Sequence, residues 1–115
     1  MSTHATIGVQ YPDGKISGCY VHYDGNTIED RMRDFLKKNT ATGLALLIAR
    51  AQSTGGMRSF HSPGLDEGEP TTEFLDDNEP RVYDEKNWDD GQHNAGYSYL
   101  VNYETEQIAT WRKYS

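Results

Sequence analysis

Cys19 and His22 are the nearest approach to a reactive pair in this 115-residue chain. A thiolate nucleophile, or half of a zinc site, needs both side chains on one side of the element that carries them. Three positions apart in a strand, they point to opposite faces. Cys19 is also the single cysteine, so no intramolecular disulfide and no second cysteine half-site can form, and it reads as a small buried residue. His4, His61 and His93 are scattered over the N-terminal tail and a long loop, and no spacing selects a metal. Asp84 to Gly91 ends like a calcium loop, but setting Gly91 at the loop's sixth position puts Lys86 and Trp88 where the first and third ligands belong. Gly55-Gly56 follows a helical stretch instead of opening one, so it is no phosphate cradle. Neither a Gly-x-Ser-x-Gly elbow nor a His-Glu-x-x-His pair occurs. No catalytic residue, metal site or cofactor is expected, and a binding role is favoured over an enzymatic one.

Charge narrows the partners. Of eighteen carboxylates, eleven lie between His61 and Ala95, where Arg81 and Lys86 are the only basic residues. The formal charge is −7. Direct nucleic-acid binding through phosphates needs clustered Lys and Arg, and is not expected. The longest apolar run, Leu44 to Ala49, is far below membrane-spanning length. The N-terminus has no basic and apolar leader pattern, so the expected location is the cytoplasm, away from membranes.

These residues need elements to position them, and one domain over residues 1–115 is the natural count. Thr6 to Gln10 alternates as a strand with Ile7 and Val9 on one face, Tyr11-Pro12-Asp13-Gly14 is corner chemistry, and Ile16 to Tyr23 is the returning strand. Ile28, Met32, Phe35 and Leu36 predict an amphipathic helix to about Lys38. Leu44, Leu47, Ile48 and Ala51 predict a second from about Thr42 to Gln52, stopped by Gly55-Gly56, with a short strand over Met57 to Phe60. Residues 62–95 hold three of the four prolines and no period, and read as a long acidic loop. Its pieces near Thr71 to Leu75 and Arg81 to Tyr83 are expected to dock, since Phe74, Tyr83 and Trp88 suit a packed surface. Tyr97 to Tyr103 and Gln107 to Tyr114 form a closing hairpin. The fold expected is α+β: a mainly antiparallel sheet of about four strands with two helices on one face. Tyr97, Tyr99, Val101 and Tyr103 share one strand face, which is either an interaction surface or a cover for the second side of a thin sheet.

The candidate site is His22, Tyr23, Asp24 and Gly25, where a strand runs directly into a helix and its last side chains reach the sheet rim. Gly25 is expected to take a positive φ there. Asp24 has two open readings: capping the helix amides, or presenting its carboxylate to a partner.

Met1-Ser2-Thr3-His4, Thr6-Ile7-Gly8-Val9 and Tyr20-Val21-His22-Tyr23-Asp24-Gly25 together resemble small proteins encoded by tailed bacteriophages. In those, a Met-Ser-Thr start, an Ile-Gly strand and a Tyr-x-His-Trp-Asp-Gly segment recur. Here Tyr23 stands where Trp is usual, and Asn26-Thr27 replaces a common Tyr-Pro. Tyr97 to Leu100 and Ile108 to Trp111 are similar to their closing hairpin. The resemblance implies phage origin; because small acidic phage proteins without catalytic motifs often act by binding, the leading expectation is an accessory protein that binds a host protein, to occlude or modulate it in the host cytoplasm. Two other readings stay open: an acidic nucleic-acid mimic filling the basic groove of a host protein, and a small-molecule binder or enzyme with a site near His22 and Asp24.

Overall fold

The computed structural model describes residues 3–62 and 71–112. Strands β1 (Ala5–Gln10) and β2 (Ile16–Val21) form the expected hairpin, in register from Gln10↔Ile16 to Ala5↔Val21. A short 3-10 turn (Gly25–Thr27) leads into helix α1 (Ile28–Lys38), which has the bounds its spacing predicts. Ile28, Met32 and Phe35 are buried; Glu29 and Asp30 lie in the first turn and Lys37 and Lys38 in the last, each on the favourable side of the helix dipole. Helix α2 (Ala41–Thr54) starts at Thr40, whose hydroxyl accepts from the Gly43 N–H at 3.2 Å. It stops where Gly55 takes a φ of 99°. Leu44, Ile48 and Ala51 are buried on it, while Leu47 is half-buried at the edge of the stripe.

Five strands and a helix complete the described chain: β3 (Met57–Ser59), β4 (Glu73–Phe74), β5 (Tyr83–Asp84), helix α3 (Trp88–Asn94), β6 (Tyr97–Asn102) and β7 (Ile108–Arg112). The sheet order is β4-β3-β2-β1-β6-β7. The outer edge of β2 is shared, by β3 at Val21 and by β5 at Ser17 and Gly18. β1 pairs with β6, and β2 with β3, in parallel; the other pairings are antiparallel. The α+β class therefore stands, but the four antiparallel strands with two helices on one face do not. The sheet is mixed and seven-stranded, with three helices distributed over both faces. Turn chemistry fixes only the hairpins β1–β2 and β6–β7. Nothing local orients β6 against β1, which it meets in parallel after a long excursion.

Alternation along the strands divides the two faces. Ile7, Val9, Cys19, Val21, Tyr99 and Val101 form the main core with α1 and α2. The tyrosine face of β6 is thus neither a binding surface nor a second-side cover. Tyr99 and Val101 are fully buried under the helices, and Tyr97 and Tyr103 are half-buried against the same core. The other face is sealed by α3. Gly8 and Gly18, paired across β1 and β2, leave a floor on which Trp88 rests: a Cβ on either would stand 2.9 or 2.8 Å from its ring. The Thr6 hydroxyl donates to Gly91 O at 3.1 Å.

Of the stretch read as a long acidic loop, residues 63–70 lie outside the described residues, and the chain from Thr71 onward packs on the body. Backbone N–H groups of Leu75, Asp77 and Arg81 donate to Gly56, Thr54 and Gln52 at 2.9–3.0 Å, strapping it along the end of α2. Both pieces expected to dock do so, as β4 and β5. α3 was hidden by its composition: Asp89, Asp90, Gly91 and Asn94 are weak helix formers, and the helix stands through packing of Trp88 and Gly91 on the sheet. Among the described residues no helix is long and apolar enough to cross a membrane.

Candidate functional site

Past Val21 the β2 chain keeps pairing with the β3 segment: His22 N–H donates to Met57 O and Tyr23 N–H to Arg58 O, both at 2.9 Å. Tyr20 and His22 lie on the α3 side, opposite Cys19 and Val21. Cys19 is buried in the core, where desolvation pushes its thiol pKa far up, so it is neither a nucleophile nor a partner for His22.

His22 belongs instead to a chain of three rings. The Tyr20 hydroxyl meets His22 Nδ1 at 2.7 Å and also the Nδ1 of His4. The two imidazoles stand edge to face at 4.9 Å between centroids, and Tyr23 meets His22 the same way at 4.5 Å. The Arg81 guanidinium lies 4.7 Å over the Tyr20 ring, a cation–π contact. A phenol has one hydrogen, so it donates to one imidazole and accepts from the Nδ1–H of the other; the three rings fix one another's orientation and tautomers. Burial, reinforced by His4, Arg58 and Arg81, holds the His22 pKa below its ordinary value, against the pull of Asp77. Burial raises the Tyr20 pKa despite Arg81. The lowered His22 pKa and raised Tyr20 pKa favour a neutral imidazole on a neutral phenol, a pair suited to directional hydrogen bonding and not to nucleophilic attack. A hollow of about 310 Å³ opens beside it, bordered by His4, Tyr20, Arg81 and Tyr83.

The next two residues depart from expectation. The left-handed backbone falls on Asp24, with a φ of 61°, and Gly25 has no positive φ. Gly25 is required for proximity: its N–H donates to Thr3 O at 2.9 Å, and a Cβ there would come within 2.8–2.9 Å of the carbonyls of Thr3 and His4. Its own carbonyl accepts from the buried Tyr99 hydroxyl at 2.6 Å. Gly25 is thus buried framework under the N-terminal chain and not contact surface. The capping reading of Asp24 fails as well, because its side chain takes no amide of the helix start. The Asp24 carbonyl accepts from Thr27 N and Oγ1, and its carboxylate, 53% exposed, stands 3.6 Å from Arg31 Nη1. Arg31 in turn donates to Phe60 O at 2.9 Å. His61 adjoins this pair, its pKa lowered by burial first and then by Arg31, with Asp24 and Glu73 opposing.

Of the four residues singled out by sequence, His22, Tyr23 and Asp24 form the rim and Gly25 lies beneath it. His4 and Arg81 were missed. His4 had a signal: one step beyond Ala5↔Val21 in the hairpin register, it stands across from His22. Arg81 had none, since only the docked strap brings it to Tyr20. Among the described residues no group of three or more His, Cys, Asp or Glu could hold a metal ion.

No family model, curated protein or solved structure matches the chain. What the rim can do follows from its own geometry.

Proposed function

We propose that the chain is a small binding protein, of the tailed-phage kind that its sequence resembles, which engages a host protein through the rim of His22, Tyr23 and Asp24 with Arg81 beside them. The observation that carries this reading is the exposed Tyr23 ring, 40% accessible and braced edge-on by His22, which Tyr20 holds in turn. A braced aromatic beside arginine and carboxylate groups loses little side-chain entropy on contact, the character of a binding hot spot. No group in the rim is activated for attack, which favours binding over catalysis. The test is affinity capture from bacterial host lysate with wild type and with His22→Ala/Tyr23→Ala, after both are shown to melt alike. A protein retained stoichiometrically by wild type and lost by the variant supports the reading; identical retention by both overturns it.

The acidic mimic has one observation in its favour. Asp76, Asp77 and Glu79 are exposed on the docked strap, Glu85 on the turn that follows β5 and Asp89 and Asp90 on the first turn of α3, not on a free loop. If that surface fills a basic groove, neutralising Asp76, Asp77, Asp89 and Asp90 together abolishes capture and its salt dependence, while the His22/Tyr23 variant keeps both.

A further inference from the structure

On the α3 face, away from the rim, a cleft runs between α3 and the β6–β7 hairpin. Its larger hollow, about 640 Å³, is a size suited to a small ligand. Trp88 and Trp111 both line it, in edge-to-face contact with 6.4 Å between ring centroids. Trp111 is 40% exposed. Four side-chain amides, from Gln10, Gln92, Asn102 and Gln107, line the same hollow. Asn102 uses its Oδ1 to accept from Glu104 and Thr105 N–H groups, which leaves its amide donor over. The side chains of Gln10, Gln92 and Gln107 have no hydrogen-bond partner among the described residues. Trp88 is 5% exposed, and its Nε1–H finds no acceptor there either. A second hollow of about 330 Å³ adjoins, sharing Asp89, Gln92 and Trp111 with the first.

We propose that this cleft binds a neutral oligosaccharide, one sugar unit on each side of Trp111. A sugar ring has an apolar C–H face and a rim of hydroxyls. Indoles suit the face, and side-chain amides, each donor and acceptor at once, suit vicinal hydroxyls. The larger hollow carries one carboxylate, Asp89, and no cation; in the smaller one Arg112 stands with Asp89, and the chain's net charge of −7 repels polyanions, so the cleft as a whole favours a neutral ligand over a phosphate or sulfate. The ligand's hydroxyls complete the unpartnered amides, while the apolar faces of the two indoles meet the sugar ring. The larger hollow shares no lining residue with the one beside Tyr20, and the smaller shares only Ala95, so this site and the proposed protein-binding rim are tested separately.

The chain has two tryptophans, so a ¹⁵N-labelled sample gives two indole N–H signals, both from this cleft. The probes are cellohexaose, maltohexaose and chitohexaose, each titrated to about 5 mM. At least one is expected to shift both indole signals saturably, that of the exposed Trp111 the more. Trp111→Ala, with Gln92→Ala as a second variant in case the first does not fold, is expected to weaken binding about tenfold or more at unchanged melting temperature. Unmoved indole signals with all three sugars overturn the proposal. So does a saturable shift with oligo-dT in place of the sugars, or wild-type affinity in the folded variants.

Discussion

The two faces of the sheet are built on opposite principles. Toward α1 and α2, large side chains interlock: Ile7, Val9, Val21, Tyr99 and Val101 meet Ile28, Met32, Phe35, Leu44 and Ile48, all buried. Toward α3 the sheet is emptied by Gly8 and Gly18, and one large residue, Trp88, fills the space. The first face spreads its stability over many contacts. The second concentrates it on one indole held by a seven-residue helix, and keeps polar groups unpartnered nearby. Both hollows flanking Trp111 and the one beside Tyr20 open on that second face.

The sharpest break in that comparison comes from the first face. Phe35→Ala removes a buried ring that meets Phe60 at 5.9 Å, and about 3–5 kcal/mol of stability is expected to go with it. Leu47→Ala, on the half-buried edge of α2, is expected to cost clearly less, about 1–2 kcal/mol. Urea titration measures both; equal losses would mean that the α2 stripe is wrongly assigned.

Gly18→Ala addresses the second face. The added Cβ would meet Trp88 at 2.8 Å and Ile7 O at 3.1 Å, so the indole must shift, at about 1–3 kcal/mol. Hydrogen exchange is expected to show α3 opening while α1 and α2 keep their protection. Uniform loss across all three helices would make the two faces one cooperative unit.

The same contrast explains what could be read in advance. The first face announces itself through periodic apolar residues, so α1 was legible to its last residue and β1 and β2 as hairpin neighbours, though β2 ends at Val21 and not at Tyr23. Burial of Tyr99 was not, because alternation shows which residues share a face and not what covers it. The second face has no periodic signal. Two glycines in strands and a run of Asp, Gly and Asn around one Trp look like loop, and α3 exists only through its docking. At the rim, His22, Tyr23 and Asp24 were legible because a strand ends there. Arg81 reaches Tyr20 from sixty-one positions away through a strap whose own sequence carries no orientation.

A pH titration tests the ring chain on the α3 side, together with His61. His22 and His61 both have pKa values below the ordinary imidazole value, burial being the first cause. As pH falls through that ordinary value, the unfolded chain takes up protons before the folded one, so stability present above it is lost toward and through the lowered folded value. Melting temperature is expected to fall between about pH 7 and 5, and to fall less in His22→Gln. A stability rising toward pH 5 would show His22 held charged in the folded protein, contrary to the neutral imidazole on Tyr20.

The smallest stability effect belongs to Asp24→Asn, and its smallness makes it the cleanest probe of the rim. Asp24 occupies the left-handed region, where Asn is as well tolerated as Asp and other non-glycine residues are not. Its side chain caps nothing, so no helix amide is orphaned by the change. The carboxylate's contact is a half-exposed ion pair with Arg31 at 3.6 Å, a kind that contributes less than about 1 kcal/mol. The variant is thus expected to melt within a few degrees of wild type, whereas Asp24→Ala, which cannot hold the turn as easily, is expected to lose about 1–2 kcal/mol. With the fold spared, any loss of capture by Asp24→Asn reports the carboxylate itself. Paired with His22→Ala, it is expected to release the captured protein while the Trp88 and Trp111 indole signals stay unmoved. If the folded double variant holds that protein as tightly as wild type does, the rim is only the place where the chain turns from strand to helix.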